Sequence, residues 1–307
     1  MEPVPWRHAF DDSDYCFQLK WDGVRMLAII ERDSVHLRNR QAAERTEQYP
    51  ELQRLTGLVP AGTVLDGEIV VLQQGKPSFH SVIKRDLARQ PAAIAHRRRS
   101  LPVTYAVFDI LYHSGDDVRR RSLSQRQVLL EELNLDGVDG LHVVQNFPSG
   151  IRLFEAVRDQ GLEGIVAKRL DSSYIPGKKS DAWRKVKHFR HALCAVGGYT
   201  ARQGIPSGLL LGLYDENDLV YVGSVGSGLT QADWQDLLPF LKQAETAASP
   251  FTVPPVIRQR EVHWVHPILG VDVSFMEWSA GMRLRSPVLK GFGLASTEEC
   301  SFRVQGV

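Results

Sequence analysis

The stretch LKWDGVR, residues 19–25, places a lysine directly before Trp-Asp-Gly. Alternation in YCFQLK puts Lys20 on the strand face opposite Tyr15, Phe17 and Leu19. A lysine amine can attack a phosphorus atom once it is deprotonated, which requires desolvation or neighbouring positive charge. The plainer interpretation is a surface hairpin with a solvated lysine, because Asp-Gly between two strand-like runs is a strong hairpin signal. This stretch alone leaves both interpretations open.

Further charged residues stand inside apolar, strand-like segments. They are Glu68 in TVLDGEIVVL, where Asp-Gly predicts a second hairpin, Glu163 and Lys168 in LEGIVAKRL, and Lys185 and Lys187 in AWRKVK. A charge in a buried strand is costly unless it is paired. Opposite charges that recur on the strands of one domain therefore predict a single polar cleft.

The residue types in this cleft fit reactions of a nucleoside triphosphate. Lys185 and Lys187 could hold phosphate oxygens and favour deprotonation of a nearby amine. Glu68 and Glu163 could hold Mg²⁺, which neutralises a triphosphate and its leaving group. Phe108, in the apolar strand AVFDILY, could stack on a base.

The chain of 307 residues is longer than one hydrophobic core usually serves. From Tyr15 to Lys187 strand-like runs alternate with helical ones, and after about His188 short glycine-punctuated strands surround one helix candidate, TQADWQDLLPFLKQAE. We predict an α+β fold, with antiparallel sheets and flanking helices in a first domain, residues 1–188. A small all-β barrel domain follows at residues 189–307.

Composition narrows the functional class. The 37 Lys and Arg nearly balance the 36 Asp and Glu, which argues against binding nucleic acid through overall charge. Locally, residues 178–191 are basic with interleaved aromatics and could follow phosphates, whereas Arg97–Arg99 favour a solvated loop or surface. Three scattered cysteines indicate neither a disulfide framework nor a thiolate zinc site. Short apolar runs and an N-terminus unlike a signal peptide predict a cytoplasmic protein without a membrane span.

Five segments together resemble a known family. KWDGVR, LDGEIV, VFDILY, EGIVAK and WRKVK resemble, in order, the motifs of the covalent nucleotidyltransferases, which include DNA ligases, RNA ligases and capping enzymes. The later segment HPILGVDVSFMEWSAGMRLRSPVLKGF resembles the barrel domain of bacterial ATP-dependent DNA ligases of the end-joining, ligase D type. The resemblance covers nearly the whole chain.

This resemblance implies a nucleotidyltransferase (adenylation) domain followed by an oligonucleotide-binding (OB) fold. It implies a DNA ligase that seals nicks or broken ends through a lysyl-AMP intermediate, with ATP as adenylyl donor and Mg²⁺ or Mn²⁺ as cofactor. The implied partners are nicked or broken double-stranded DNA and a Ku-type end-binding protein. The implied location is the bacterial cytoplasm at the nucleoid, and the implied state is a monomer.

The resemblance also assigns roles to the matching positions. The implied nucleophile is Lys20. The other implied contacts are Arg25 and Arg40 with the nucleotide or nicked-strand phosphate, Glu68 and Glu163 with ribose and metal, Phe108 with adenine, and Lys185 and Lys187 with the α-phosphate. Trp21 and Trp183 are expected to pack, and the role of Asp109 stays open. The histidines have no metal-ligand spacing.

Two departures from the family pattern leave alternatives. Around Arg40 the chain reads NRQA, ending at Ala42, where the family usually has a glycine. No basic residue lies between Lys290 and Arg303, where the family usually carries a basic motif that orients pyrophosphate, although Arg283, Arg285 or Lys290 could substitute. An adenylylation-impaired subunit that binds DNA ends is therefore one alternative, and an RNA ligase or capping enzyme is another. NAD as donor is disfavoured because the chain has no four-cysteine zinc module.

Overall fold

The computed structural model describes residues 1–279 and 281–305, with the backbone alone at residue 294. The chain divides into two units, Met1–His188 and Phe189–Val307. Sheets with few helices make up both, as the α+β prediction expects. Among the described residues, no helix has the length and apolar character needed to cross a membrane.

The first unit carries two sheets. Its strands are β1 (Glu2–Pro5), β2 (Tyr15–Leu19), β3 (Val24–Ile30), β4 (Val35–Asn39), β5 (Thr63–Gln73), β6 (Lys76–Pro77), β7 (Val103–His113), β8 (Asp116–Asp117), β9 (Leu141–Val143), β10 (Gly164–Arg169) and β11 (Lys179–Lys187). The smaller sheet has the order β1-β11-β10-β2, and the larger one β4-β3-β5-β7-β8, with β6 added to β5 and β9 to β7. The pairs β1–β11 and β7–β9 are parallel and the others are antiparallel.

Helices flank these sheets. They are α1 (Phe79–Asp86), α2 (Pro91–Ser100), α3 (Leu123–Glu132) and α4 (Gly150–Asp159), preceded by two short 3-10 segments, Thr46–Gln48 and Pro50–Gly57. Serine oxygens at residues 78, 122 and 149 cap the starts of α1, α3 and α4 by accepting backbone N–H bonds. Helix α2 was not predicted, and it carries Arg97–Arg99 in its last turn rather than in a loop.

Of the three hydrophobic clusters in the first unit, two support its sheets. One lies on the larger sheet and includes Met26, Leu37, Ile69 and Tyr105, all fully buried. The other lies between the smaller sheet and α4 and includes Phe17 of β2, Ile165 and Ala167 of β10, and Val157 of α4. Because each sheet has its own apolar support, the polar side chains between β2, β5, β7, β10 and β11 are free to form a cleft.

The second unit contains antiparallel strands that enclose two hydrophobic clusters. Its strands are β12 (Arg190–Arg202), β13 (Ile205–Asp215), β14 (Asp218–Val225), β15 (Glu245–Thr246), β16 (Glu261–Val265), β17 (Leu269–Phe275) and β18 (Val288–Leu294). β12 pairs with β13 along one edge and with β16 and β17 along the other. Helix α5 (Gln231–Gln243) begins at Thr230, which forms a capping box with Asp233, as the sequence predicted for Thr230.

Both predicted Asp-Gly hairpins are wrong. Residues 20–23 connect β2 of the smaller sheet to β3 of the larger one, so the flanking strands do not pair with each other. Gly23 has no positive φ; instead, a Cβ there would lie 2.2 Å from the backbone oxygen of Ile69. The second Asp-Gly pair lies inside β5, where a Cβ on Gly67 would lie 2.5 Å from the Tyr105 ring. Close backbone approach, not turn geometry, requires glycine at both places.

Replacement of Gly23 by alanine tests this packing constraint. Gly23→Ala should lower the free energy of unfolding by ~1–3 kcal/mol, because the obstructing Ile69 oxygen belongs to a central strand and cannot move aside. Gly57→Ala is the matched control, since a Cβ at residue 57 would meet nothing within 4 Å and its φ is not positive. Urea unfolding of both variants measures the difference, and equal effects would contradict the constraint.

Candidate active site

Lys20 follows the last residue of β2, where its backbone N–H donates to the oxygen of Gly164 over 2.9 Å. Its Nζ lies 2.7 Å from Oε2 of Glu163, and Nζ of Lys187 lies 2.9 Å from Oε1 of the same carboxylate. The Glu163 side chain is only 6% exposed. One buried carboxylate therefore holds two lysines from different segments, and Lys20 stays 21% exposed beside it.

Positive charge accumulates next to Lys20. Lys185 stands two residues before Lys187 on β11, so both point to the same face of the strand. Burial lowers the pKa of Lys185, and the charges of Lys187 and Lys20 lower it further. Three lysines thus surround a small region with a single buried carboxylate, which is an arrangement suited to an anion such as a phosphate.

Arg25 is rigidly held on β3. Its Nε and Nη2 lie 3.0 and 2.6 Å from the two carboxylate oxygens of Asp66, which is fully buried on β5. Tyr174 donates its hydroxyl to Asp66 over 2.8 Å. Burial opposes the charged form of Arg25, but the contacts with Asp66 outweigh it, so the pKa of Arg25 is raised. Arg25 therefore presents a fixed charge to the cleft.

Glu68 lies on β5 directly opposite Arg25, two residues after Asp66. Burial raises the pKa of its carboxyl to about 8, although the positive charges of Lys20 and Arg25 oppose the shift, and Glu163 adds to it. A carboxylate so disfavoured would be stabilised by an added cation.

Arg40 follows β4 and is the most exposed of the predicted residues, at 64%. Its Nη2 lies 2.7 Å from the carboxylate of Glu2. The loop is held by Asn39, whose Oδ1 accepts the backbone N–H groups of Gln41 and Ala43, both over 3.0 Å. Ala42 takes a φ of +59°, so the turn is left-handed in this chain with alanine at the position where the family usually has glycine.

An aromatic and cationic cluster forms the apolar wall of the cleft. The rings of Phe108 and Trp183 meet edge to face with centroids 6.0 Å apart. Nζ of Lys168 lies 4.3 Å from the Phe108 centroid and 4.2 Å from that of Trp183, and donates to the Phe108 carbonyl oxygen over 3.2 Å. Burial lowers the pKa of Lys168 to about 8, against the charge of Asp109.

Asp109, whose role the sequence left open, supports this wall from behind. It forms a two-fold contact with Arg126 of α3, at 2.7 and 2.9 Å, and both side chains are fully buried. Arg126 also donates to the backbone oxygens of Arg121 and Ser172. The pair connects β7 to its flanking helix, so Asp109 orients its neighbour Phe108 rather than facing a ligand.

The cleft is a cavity of about 220 Å³. It is lined by Glu2, Pro3, Gln18, Leu19, Lys20, Trp21, Arg25, Arg40, Glu68, Phe108, Val166, Lys168, Trp183 and Lys185. The structure therefore brings together six of the predicted residues. Of the other two, Glu163 is connected to the cavity by its ion pair with Lys20, and Lys187 by its ion pair with Glu163.

Sequence reasoning gave no binding role to eight of the fourteen lining residues, and three of these have side chains suited to contact a ligand. Lys168 was recognised as a charge in an apolar strand but was given no role, and Trp183 was expected only to pack. Gln18 has no signal in the sequence beyond its place two residues before Lys20.

The arrangement can be tested for a metal site. Within residues 1–279 and 281–305, no group of three or more His, Cys, Asp or Glu side chains is placed to hold a metal ion. Glu68 alone fits a cation that is also bound by a ligand in the cavity, since burial disfavours its charge. Glu163 fits less directly, because each of its oxygens already contacts a lysine.

Two family models match the chain. The model described as ATP dependent DNA ligase domain matches residues 7–187, and the one described as ATP dependent DNA ligase C terminal region matches residues 202–293. The matches support a nucleotidyltransferase domain followed by an OB-fold domain, so the predicted fold class is confirmed.

Individual relatives point to the same family as the two family models. The chain is 34% identical over 287 residues to "Multifunctional non-homologous end joining DNA repair protein LigD" of Mycobacterium tuberculosis, covering 91% of this chain and 36% of that protein. It is 34% identical to the LigD protein of Pseudomonas aeruginosa, covering 91% and 33%. The chain thus spans about a third of the length of these relatives.

A solved structure described as "mycobacterial DNA ligase D complexed with ATP and MES" superposes with a TM-score of 0.56 at 32% identity, over 95% of this chain and 93% of that one. A LigE DNA ligase structure, at 18% identity and a TM-score of 0.65, shows the same fold. The resemblance found in the motifs is therefore confirmed, and the chain belongs to the ATP-dependent DNA ligase family as a ligase domain of the ligase D type.

Proposed function

We propose that this chain seals breaks in DNA through a covalent Lys20–AMP intermediate. The observation that carries the proposal is the Lys20 amine, held at the cavity by the buried carboxylate of Glu163 and flanked by Lys185 and Lys187. In the first step, Nζ of Lys20 releases its ammonium proton to solvent and forms a bond to the α-phosphorus of ATP, while the bond to the pyrophosphate oxygen breaks and pyrophosphate leaves. AMP then passes to the 5′-phosphate of the break, and a 3′-hydroxyl displaces AMP to close the strand.

The lysines divide the work of the first step. Glu163 accepts from Lys20 and positions its Nζ, while Lys187 shares the carboxylate and limits its effective negative charge. Lys185, whose ammonium is destabilised by burial and by its neighbours, gains most from an incoming phosphate and holds the α-phosphate oxygens together with Lys187.

The rest of the cavity binds the nucleotide and the DNA end. Phe108 stacks on adenine, backed by Lys168. Arg25, fixed by Asp66, contacts the nucleotide, and Arg40 exchanges Glu2 for a phosphate of the nicked strand.

A divalent cation, Mg²⁺ or Mn²⁺, would neutralise the triphosphate and its leaving group. Glu68 would hold this cation and would also contact the ribose. Glu163 could contribute only by releasing one of its lysines.

We assign adenylation to residues 1–188 and the grip on DNA to residues 189–307. The relatives are named for non-homologous end joining, so we propose nicked or broken double-stranded DNA as substrate, a Ku-type end-binding protein as partner and a nucleoid location. We also propose a monomeric state.

Substitution of Lys20 tests the intermediate. Lys20→Ala and Lys20→Arg should both abolish formation of enzyme-AMP, because alanine has no amine and a guanidinium stays protonated. The fold should persist, since Glu163 keeps its contact with Lys187. Labelled ATP followed by a denaturing gel measures the adduct. Label on either variant would contradict the assignment of Lys20 as the nucleophile. No label on the intact protein would favour the adenylylation-impaired alternative.

A second comparison separates phosphate chemistry from surface charge. Lys185→Ala should reduce both adenylation and sealing by ~100-fold or more, because a preorganised cation at the reacting phosphate is lost. Arg98→Ala, on the exposed end of α2, should leave adenylation intact and act through DNA affinity and its salt dependence. Single-turnover adenylation and nick sealing at several salt concentrations measure both. Similar small effects would mean that Lys185 serves only as surface charge.

The pKa of Glu68 predicts a dependence of stability on pH. The folded pKa of about 8 lies above the ordinary value of 4.5, so between these values the folded state binds a proton that the unfolded chain has lost. The stabilisation is full below the lower value and disappears as pH rises through the upper one. Because glutamine cannot ionise, the stability of Glu68→Gln relative to the wild type should increase from pH ~5 to ~8.5.

Chemical unfolding across this pH range checks the Glu68 prediction. Glu132→Gln, at an exposed site in α3, is the control and should show no such trend. Added Mg²⁺ at the upper end of the range should narrow the gap if Glu68 holds the cation. A gap that does not change with pH would contradict the raised pKa.

A further inference from the structure

Three carboxamides form a continuous chain of hydrogen bonds behind the cavity. Nε2 of Gln127 donates to the carbonyl oxygen of Phe108 over 3.0 Å, and Nδ2 of Asn146 donates to Oε1 of Gln127 over 3.0 Å. Nε2 of Gln18 then donates to Oδ1 of Asn146 over 2.8 Å. Gln18 is 1% exposed and Gln127 is 5% exposed, while Asn146 between them is half-buried, so the two glutamine amides are shielded from water.

The direction of this chain is determined at one end. A backbone carbonyl can only accept, so Gln127 must turn its NH₂ group toward Phe108. Oε1 of Gln127 therefore faces Asn146, which must donate to it through its NH₂ group. Oδ1 of Asn146 then faces Gln18, which must in turn donate to it through its own NH₂ group. Lys168 donates to the same Phe108 oxygen over 3.2 Å and reinforces the anchor.

The consequence appears in the cavity, which Gln18 lines. An isolated glutamine side chain can present either a donor or an acceptor by rotating its amide. Here the bond from Nε2 to Asn146 prevents the amide from rotating by half a turn, so the position of Oε1 is fixed and stays that of an acceptor. Among the residues that the structure describes, none donates a side-chain hydrogen bond to Oε1.

We infer that Gln127 and Asn146 are positioning residues that keep Gln18 as a hydrogen-bond acceptor, and that this relay selects the nucleobase. The relay starts at the carbonyl of Phe108, the residue proposed to stack on the base, and ends two positions before Lys20. A purine with a 6-amino group donates to Gln18. A 6-oxo purine presents an acceptor there and is rejected, because two facing acceptors leave a buried polar group unpaired. The inference rests on the proposed function, since it assumes that the cavity takes a purine nucleotide.

The test compares ATP with ITP, which differs in the amino-to-oxo exchange at position 6 and the accompanying N1 proton. The intact protein should form the covalent adduct with ATP in strong preference to ITP. Asn146→Ala frees the Gln18 amide to rotate and should reduce the ATP/ITP ratio of kcat/KM by about tenfold or more. Gln145→Ala changes the exposed neighbouring side chain and should leave the ratio unchanged.

A rescue variant excludes a merely structural effect. A carboxylate accepts from either oxygen and needs no orientation, so Gln18→Glu combined with Asn146→Ala should recover the ATP/ITP preference that Asn146→Ala loses. An unchanged ratio in Asn146→Ala, or no recovery in the double variant, would overturn the relay.

Equilibrium binding of AMP and IMP to the same proteins, with circular dichroism as the folding control, gives a readout independent of covalent chemistry. Failure of the intact protein to form an adduct refutes the proposed function. The relay is still judged by whether the AMP/IMP affinity ratio falls in Asn146→Ala.

Discussion

The site depends on a carboxylate that is shared by two lysines. Glu163, almost completely buried at the start of β10, contacts Lys20 with one oxygen and Lys187 with the other. A buried carboxylate with one cation removed would be costly, so the three side chains stabilise one arrangement together. The strands that carry them are paired as well, since β10 lies between β2 and β11. The smaller sheet thus brings residues from three distant parts of the chain together at the same end of its neighbouring strands.

Buried carboxylates also hold cationic side chains on the larger sheet. Asp66 holds Arg25 and Asp109 holds Arg126, in both cases with two contacts from a fully buried carboxylate. Such pairs give little net stability, because desolvation offsets much of their attraction. They do restrict geometry, since an arginine bound by two oxygens has few alternative rotamers. Arg25 is fixed facing the cavity, and the backbone that carries Phe108 is fixed beside it.

Sequence patterns predicted the longer strands of the first unit that carry the site and six of the residues that line the cavity, because alternation and buried charge are local properties. Lys20, Glu68 and Lys185 were identified in this way and lie together. The two Asp-Gly segments were misinterpreted because the requirement for glycine comes from strands distant in sequence, such as Ile69 beside Gly23. The hydrogen-bond partners of a side chain cannot be read from the sequence either when they are distant along the chain. Gln18 shows that limit most clearly, since its orientation depends on Asn146, 128 positions away.

The charges of the cavity also indicate how an anion would enter. Lys20 and Lys187 contact Glu163, Arg25 contacts Asp66, and Arg40 contacts Glu2. Among the described residues, Lys185 makes no ion pair with a carboxylate, and its pKa is lowered by burial and by neighbouring lysines. Its ammonium can therefore take a phosphate as its first anionic partner, whereas Lys20, Arg25, Arg40 and Lys187 must each exchange a carboxylate for one. Lys168 also has no carboxylate ion pair among the described residues, but it already donates to the Phe108 carbonyl oxygen and lies against the rings of Phe108 and Trp183. Binding of a nucleotide should begin at Lys185, and the internal ion pairs keep the remaining cations in place until the phosphate arrives.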